Sequence, residues 1–133
     1  MIKLSKELDY TIQFLIALSR QEENAPLSVR KFSKNTTISF LFLQRIAGKL
    51  REAEIVKSTK GVNGGYVLLK QLNELTLKDI SEIIDGEQSI VECFKYNRNC
   101  KMVAECQTIS VFQKINIDIL NYLSSVTIDK YVA

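Results

Sequence analysis

The chain has no histidine, a single proline (Pro26) and no apolar run long enough to cross a bilayer. Without histidine the commonest general acid–base group is missing, and so is the commonest nitrogen ligand for a metal. No nucleophile-and-base pairing and no phosphate-binding loop is present, so the chain is not expected to be an enzyme. The turn GVNGG is too short and wrongly placed for a nucleotide loop and reads as a hairpin turn. A membrane helix needs about 18 or more consecutive apolar residues, so no membrane partner is expected. The opening MIKLSKELDY acquires acidic residues at once and lacks a signal-peptide apolar core. Repeats and low-complexity segments are also absent. These absences lead to the expectation of a cytoplasmic protein without a small-molecule substrate.

What is present is compact in sequence. The chain has 133 residues, 46% of them apolar and 25% charged, as in one small globular domain. Its three cysteines, Cys93, Cys100 and Cys106, all lie in one polar stretch, VECFKYNRNCKMVAEC, spaced C-x6-C-x5-C. An odd number of close thiols in a reducing compartment favours metal or redox chemistry over disulfides. Thiolate is the preferred ligand of iron–sulfur clusters, zinc and copper(I). Charge is uneven: residues 1–70 carry 12 Lys/Arg against 6 Asp/Glu, and residues 71–133 carry 6 against 9. The basic half suits a polyanion.

Apolar spacing and capping residues predict a helix over Lys6–Arg20 with Ser5 as N-cap, followed by the polar break QEENAP. Ser28 should cap a short helix Val29–Asn35, and Thr36-Thr37 should turn the chain. Ser39 should cap a third helix from Phe40 to about Ala53, with Leu43, Ile46, Ala47 and Leu50 facing inward. Ile55–Ser58 and Tyr66–Leu69 read as strands around a glycine-rich turn. Thr76 should cap a helix to about Asp85, ended by Gly86, and a longer helix should run from Ile109 to Val126 before a tail capped by Thr127. The fold class is therefore mainly α with a small β-hairpin, a winged helix-turn-helix plus a long dimerisation helix. The expected division is 1–86 for the winged domain with its wing at 55–69, 87–108 for the cysteine loop, and 109–133 for the dimerisation helix and tail.

In such an arrangement the third helix enters a major groove, about 12 Å wide, and the hairpin reaches the flanking backbone. The residues expected to touch double-stranded DNA are Ser28, Ser39, Gln44, Arg45, Lys49 and Arg51, with Ser58, Thr59, Lys60 and Asn63 from the wing. Gln44 and Arg45 are of types that bond base edges; lysines and hydroxyls more often hold phosphates. The alternative is a three-helix core whose basic face is merely solvated.

In the long helix Ile109, Phe112, Asn116, Ile119, Leu123 and Val126 alternate three and four residues apart. That is a coiled-coil-like seam with one asparagine in it. Val111, Ile115 and Tyr122 widen the stripe. Phe112, Asn116, Ile119 and Leu123 are the expected homodimer contacts, and packing within the chain is the alternative.

The segments IKLSKELDYTIQFL, LSVRKFSKNTTISFLFLQRIAGKLREAEIVKS, KGVNGGYVL, LTLKDISEIIDG and VTIDKYV, with the cysteine triplet, together resemble one family along almost the whole chain. It is the Rrf-type bacterial transcription regulators, which include IscR, NsrR, RirA and CymR. The resemblance implies a homodimeric winged-helix repressor or activator, with repressor the expected role, whose Cys93, Cys100 and Cys106 hold an iron–sulfur cluster (2Fe–2S or 4Fe–4S) near the dimer interface. IscR-like members place a histidine after the third cysteine; here Gln107-Thr108-Ile109 follow. NsrR-like members use an acidic residue in helix 1 of the other subunit, and Asp9 stands at that place, with Glu7 and Glu105 as other carboxylates. The words SIVECF and NGG also look closer to NsrR, which implies nitric oxide sensing. An ordinary helix-dipole role for Asp9 is the alternative. Three departures stand out. The first cysteine gap is x6 where x5 is common, the wing reads GVNGG where an extra glycine or an arginine is common, and Glu54 replaces a usual glycine, which predicts a looser turn into the wing. Two other readings stay open: a regulator with structural zinc or a thiol switch, and a small iron–sulfur electron carrier.

Overall fold

The computed structural model describes residues 3–90 and 105–132. Cys93 and Cys100 lie outside the described residues, as does most of the expected cysteine loop. Helix α1 spans Lys6–Ser19, α2 Val29–Asn35 and α3 Phe40–Glu52. Strands β1 (Val56–Thr59) and β2 (Gly65–Leu68) follow, then a 3₁₀ turn Leu72–Glu74, α4 (Leu77–Asp85), α5 (Ile109–Ser125) and a 3₁₀ turn Ile128–Tyr131. This is the expected mainly helical fold with a two-stranded antiparallel wing.

Local chemistry explains most of the boundaries. Ser5, Ser28, Ser39 and Thr76 each accept the backbone N–H three residues on, from Leu8, Lys31, Phe42 and Asp79. Each bond satisfies one of the orphan donors of a first helical turn. Thr127 holds the expected N-cap position, but its side chain makes no capping bond. The turn between α2 and α3 is tied by Thr36, which donates to Phe32 O and accepts from Ile38 N, and by Ser33, which donates to Ile38 O.

The core sits where α1, α3 and α4 meet. Phe14, Leu15, Leu43, Ile46, Ala47, Leu50 and Ile80 are fully buried there. Phe14 packs on Phe32 of α2 and Tyr66 of β2, with ring centroids 5.6 and 6.3 Å apart, so one side chain joins three elements. Leu27, just before α2, exchanges two backbone hydrogen bonds with Tyr66 and so extends the hairpin on its other edge. That pairing brings backbone so close to Gly65 that a Cβ there would lie 2.2 Å from Leu27 O.

The turn into the wing is tight, contrary to the sequence expectation. Glu54 has φ 60°, in the left-handed region. Glu54 N donates to Arg51 O and Ile55 N to Leu50 O, at 3.0 and 2.9 Å. This is the Schellman pattern, closed by buried Ile55 against buried Leu50. Glutamate adopts the conformation that glycine adopts more cheaply, because the two bonds and the apolar contact demand it.

Helix α5 lies against α4, and its tail returns to the core. Leu77 N donates to Val126 O and Ile128 N to Leu75 O, and Ile128 is buried. The expected seam is partly used within the chain. Asn116, Ile119 and Leu123 line a hollow of about 210 Å³ with Leu4, Leu77 and Ile90. The Asn116 Oδ1 accepts the Ile90 N–H at 3.0 Å. Asn116 therefore anchors α5 within the chain, on the face that α5 turns to α4. The large apolar residues of α5 left exposed are Val111, Phe112, Ile115, Ile117 and Tyr122. Among the described residues, no helix is long and apolar enough to cross a membrane.

Candidate nucleic-acid interface and cysteine segment

Helix α3 turns its apolar face to the core and leaves Leu41, Gln44, Arg45 and Arg51 exposed. A groove of about 240 Å³ runs between α2, α3 and the wing, lined by Ser28, Arg30, Phe40, Gln44, Ser58 and Thr59 among others. The structure thus brings residues 28, 44, 58 and 59, far apart in sequence, around one concavity. Ser39 caps α3 at the exposed surface, and Lys60 and Asn63 stand exposed in the turn of the wing.

Two of the expected contacts are differently engaged. The Lys49 ammonium lies 3.3 Å from Glu7 Oε1 and donates to Ile84 O at 2.8 Å, so it reaches toward α1 and α4 while its side chain stays partly exposed. It sits on the α3 flank between the core stripe and the open face, where a long side chain reaches whichever acceptor packs beside it. The Thr59 hydroxyl accepts from Gly65 N at 3.1 Å and closes the hairpin. Arg45 is exposed, but its Nε lies 3.2 Å from Glu7 Oε1 and its Cζ 4.8 Å over the Phe42 ring.

Sequence reasoning missed Arg30 and Lys31, both exposed in the first turn of α2. Arg30 stacks over Phe40 at 4.5 Å, which carries it to the groove. The Arg-Lys pair that begins two residues after the Ser28 cap was the available signal. Val62, fully exposed in the wing turn, was missed as well.

Of the expected metal ligands, the structure describes Cys106 and Asp9. Cys106 is partly exposed two residues before the N-cap of α5, with its Sγ 3.5 Å from Thr108 Oγ1. The Thr108 hydroxyl, then the backbone groups of Thr108 and Ile109, hold the thiol below its ordinary value. That favours the thiolate, the form that binds a soft metal. Asp9 is exposed on α1, and its Oδ1 accepts from the Gln13 amide at 3.1 Å. Glu7 is engaged by Arg45 and Lys49, while Glu105 is exposed. Among the described residues, no cluster of three or more His, Cys, Asp or Glu could hold a metal ion.

The family model described as "Rrf2: Iron-dependent Transcriptional regulator" matches residues 4–133. The chain is 31% identical over 91 residues to the HTH-type transcriptional regulator CymR of Bacillus subtilis, covering 68% of this chain and 66% of that one. It is 22% identical over 131 residues to the HTH-type transcriptional regulator IscR of Pectobacterium atrosepticum, covering 98% of this chain and 79% of that one. The solved structure of CymR, described as the global cysteine regulator of B. subtilis, superimposes over the full length of both chains with a TM-score of 0.75 at 26% identity. These relatives are transcriptional regulators, not enzymes, and a regulator of this kind implies DNA as a partner. With a family model matched over nearly its whole length and the winged-helix fold that goes with it, the chain belongs to the Rrf2 family of transcriptional regulators.

Proposed function

We propose that this chain is a homodimeric repressor that inserts α3 into the major groove of an operator and is controlled by an iron–sulfur cluster. The observation that carries the DNA half is the groove where Ser28 and Arg30 of α2, Gln44 of α3 and Ser58 of β1 converge beside the wing. Gln44 reads a base edge, and Arg30, Arg51 and Lys60 hold phosphates. The exposed stripe Val111, Ile115 and Tyr122, with Phe112, is the pairing face between two copies. Paired copies would place two α3 helices on two half-sites.

Cys93, Cys100 and Cys106 would hold the cluster, with the partner subunit's Asp9 completing the set. The support is the thiolate-favouring setting of Cys106 at the start of α5 and a family description that names iron dependence. A bound cluster would supply a redox- and nitric-oxide-sensitive group beside the pairing helix. Nitric oxide as the signal rests on Asp9, a hard and weak ligand for iron, and on the sequence alone, since the relatives described above are IscR and CymR.

The likeness to CymR favours a second reading, in which the thiols act as a zinc site or redox switch without a cluster. Anaerobic purification followed by iron, sulfide and zinc analysis and a visible spectrum separates the two. Iron and sulfide in matching amounts support the cluster; a protein still colourless after attempted reconstitution supports the second reading. Operator binding that responds to nitric oxide equally in wild type and Cys93→Ala would refute cluster control. A gel shift that does not weaken with salt would refute the DNA interface.

A further inference from the structure

Glu7, in the first turn of α1, has no part in the proposed DNA contacts or ligand set. Its side chain is only 19% exposed, and one oxygen, Oε1, accepts from Arg45 Nε at 3.2 Å and Lys49 Nζ at 3.3 Å. Lys49 is itself anchored to the carbonyl of Ile84, the penultimate residue of α4, at 2.8 Å. Beside it, Ser5 donates to Asp85 Oδ2 at 2.6 Å. Helices α1, α3 and α4 therefore meet at one polar cluster. Arg45 is its outermost member, with a side chain 58% exposed.

An exposed ion pair alone contributes little. Here the carboxylate is mostly covered, shared by two cations and tied through one of them to a main-chain carbonyl. Arg45 meets it through Nε, and its guanidinium lies over Phe42. The two terminal nitrogens of that guanidinium form the fork that recognises a planar acceptor, and the Nε bond and the ring together fix its plane.

We propose that Glu7 is a positioning residue for Arg45. Held by Lys49 against the end of α4, it orients the guanidinium so that the outer edge meets a guanine of the operator. The inference rests on α3 being the groove helix. Replacing Glu7 by glutamine would leave the charge of Arg45 in place and exchange its charge-assisted anchor for a weaker bond to a neutral amide oxygen, loosening its orientation. It would also remove one negative charge near the DNA face. Binding to a shuffled duplex should then strengthen while preference for the operator falls. A carboxylate that served only to stabilise the fold would change both in the same direction.

The test is a double-mutant cycle in the full chain: wild type, Glu7→Gln, Arg45→Gln and the double variant. Each is titrated at several salt concentrations with a duplex selected by wild type from a randomised pool, and with a shuffled version of it. Each single variant should lose about tenfold in the operator-to-shuffled affinity ratio, the order of one bidentate base contact. The double variant should lose no more than either alone, and Lys49→Met should follow Glu7→Gln. In the free protein, the Arg45 Nε–H proton should give a slowly exchanging NMR signal whose exchange Glu7→Gln accelerates. Should Glu7→Gln fail to fold, Lys49→Met with Arg45→Gln makes the same cycle. Additive losses in the ratio, or an Nε–H signal indifferent to Glu7, would overturn the positioning role. A wild-type protein that selects no sequence and binds no duplex would overturn the DNA reading instead, with the NMR signal still reporting whether Glu7 holds Arg45.

Discussion

Replacing Glu54 by glycine should stabilise this protein, although the change removes a side chain from the junction between α3 and the wing. The residue sits at φ 60°, as the C′ position of a Schellman motif. A left-handed backbone costs a residue with a Cβ roughly 1–2 kcal/mol, and glycine gives back about 0.5–1 kcal/mol through the greater entropy of its unfolded chain. Taken near the middle of both ranges, the net gain is about 0.5–1 kcal/mol. Glu54 is exposed, and its side chain is in none of the ion pairs found among the described residues, so little offsets this gain. A gain of that size should raise Tm by about 2–5 °C for a chain of this length. Thermal unfolding followed by circular dichroism would measure it, with Glu54→Ala as the control that keeps the Cβ. The control should change Tm little. A Glu54→Gly protein that melts at or below the wild-type temperature, or a Glu54→Ala protein stabilised as much, would refute the assignment of strain to the backbone. The wing hangs from this turn, so Glu54→Gly should leave operator affinity unchanged if the hydrogen bonds, rather than the side chain, set its direction.

Gly48→Ala should stabilise α3 by up to about 1 kcal/mol in a urea titration, because the position is mid-helix and a Cβ there meets nothing within 4 Å. Gly65→Ala should do the opposite, lowering Tm by more than 5 °C, because its Cβ would overlap the Leu27 carbonyl and force the β2 edge open. Asn116→Ala should cost about 1–2 kcal/mol in the same titration, since it leaves the half-buried Ile90 N–H without its acceptor; no loss would show that water replaces the amide. Lys60→Ala should reduce the slope of log affinity against log salt by about 0.9 for any duplex if Lys60 holds one phosphate, and an unchanged slope would remove it from the interface.

The elements whose chemistry is local were legible in the sequence. Ser5, Ser28, Ser39 and Thr76 cap helices by bonds that close within three residues, and the inward face Leu43, Ile46, Ala47, Leu50 follows from helical periodicity alone. The hairpin was legible for the same reason, as its glycines mark where the backbone needs freedom. What the tertiary structure decided is which neighbour each ambiguous side chain meets. Lys49 and Gln44 look alike as exposed polar residues of one helix, yet Lys49 is drawn to Glu7 and Ile84, 42 and 35 positions away in sequence. Asn116 gives no sign in the sequence of its bond to Ile90, which forms only when α5 is laid on α4. Glu54 reads as a poor substitute for glycine because sequence carries propensity, whereas the Ile55 and Leu50 contact that holds it in place forms only when the wing folds back on α3. Propensity, capping and periodicity act over one or two turns of chain and can be read in order. Charge partners and backbone strain depend on surfaces that meet only after packing, and the core, not the local sequence, selects them.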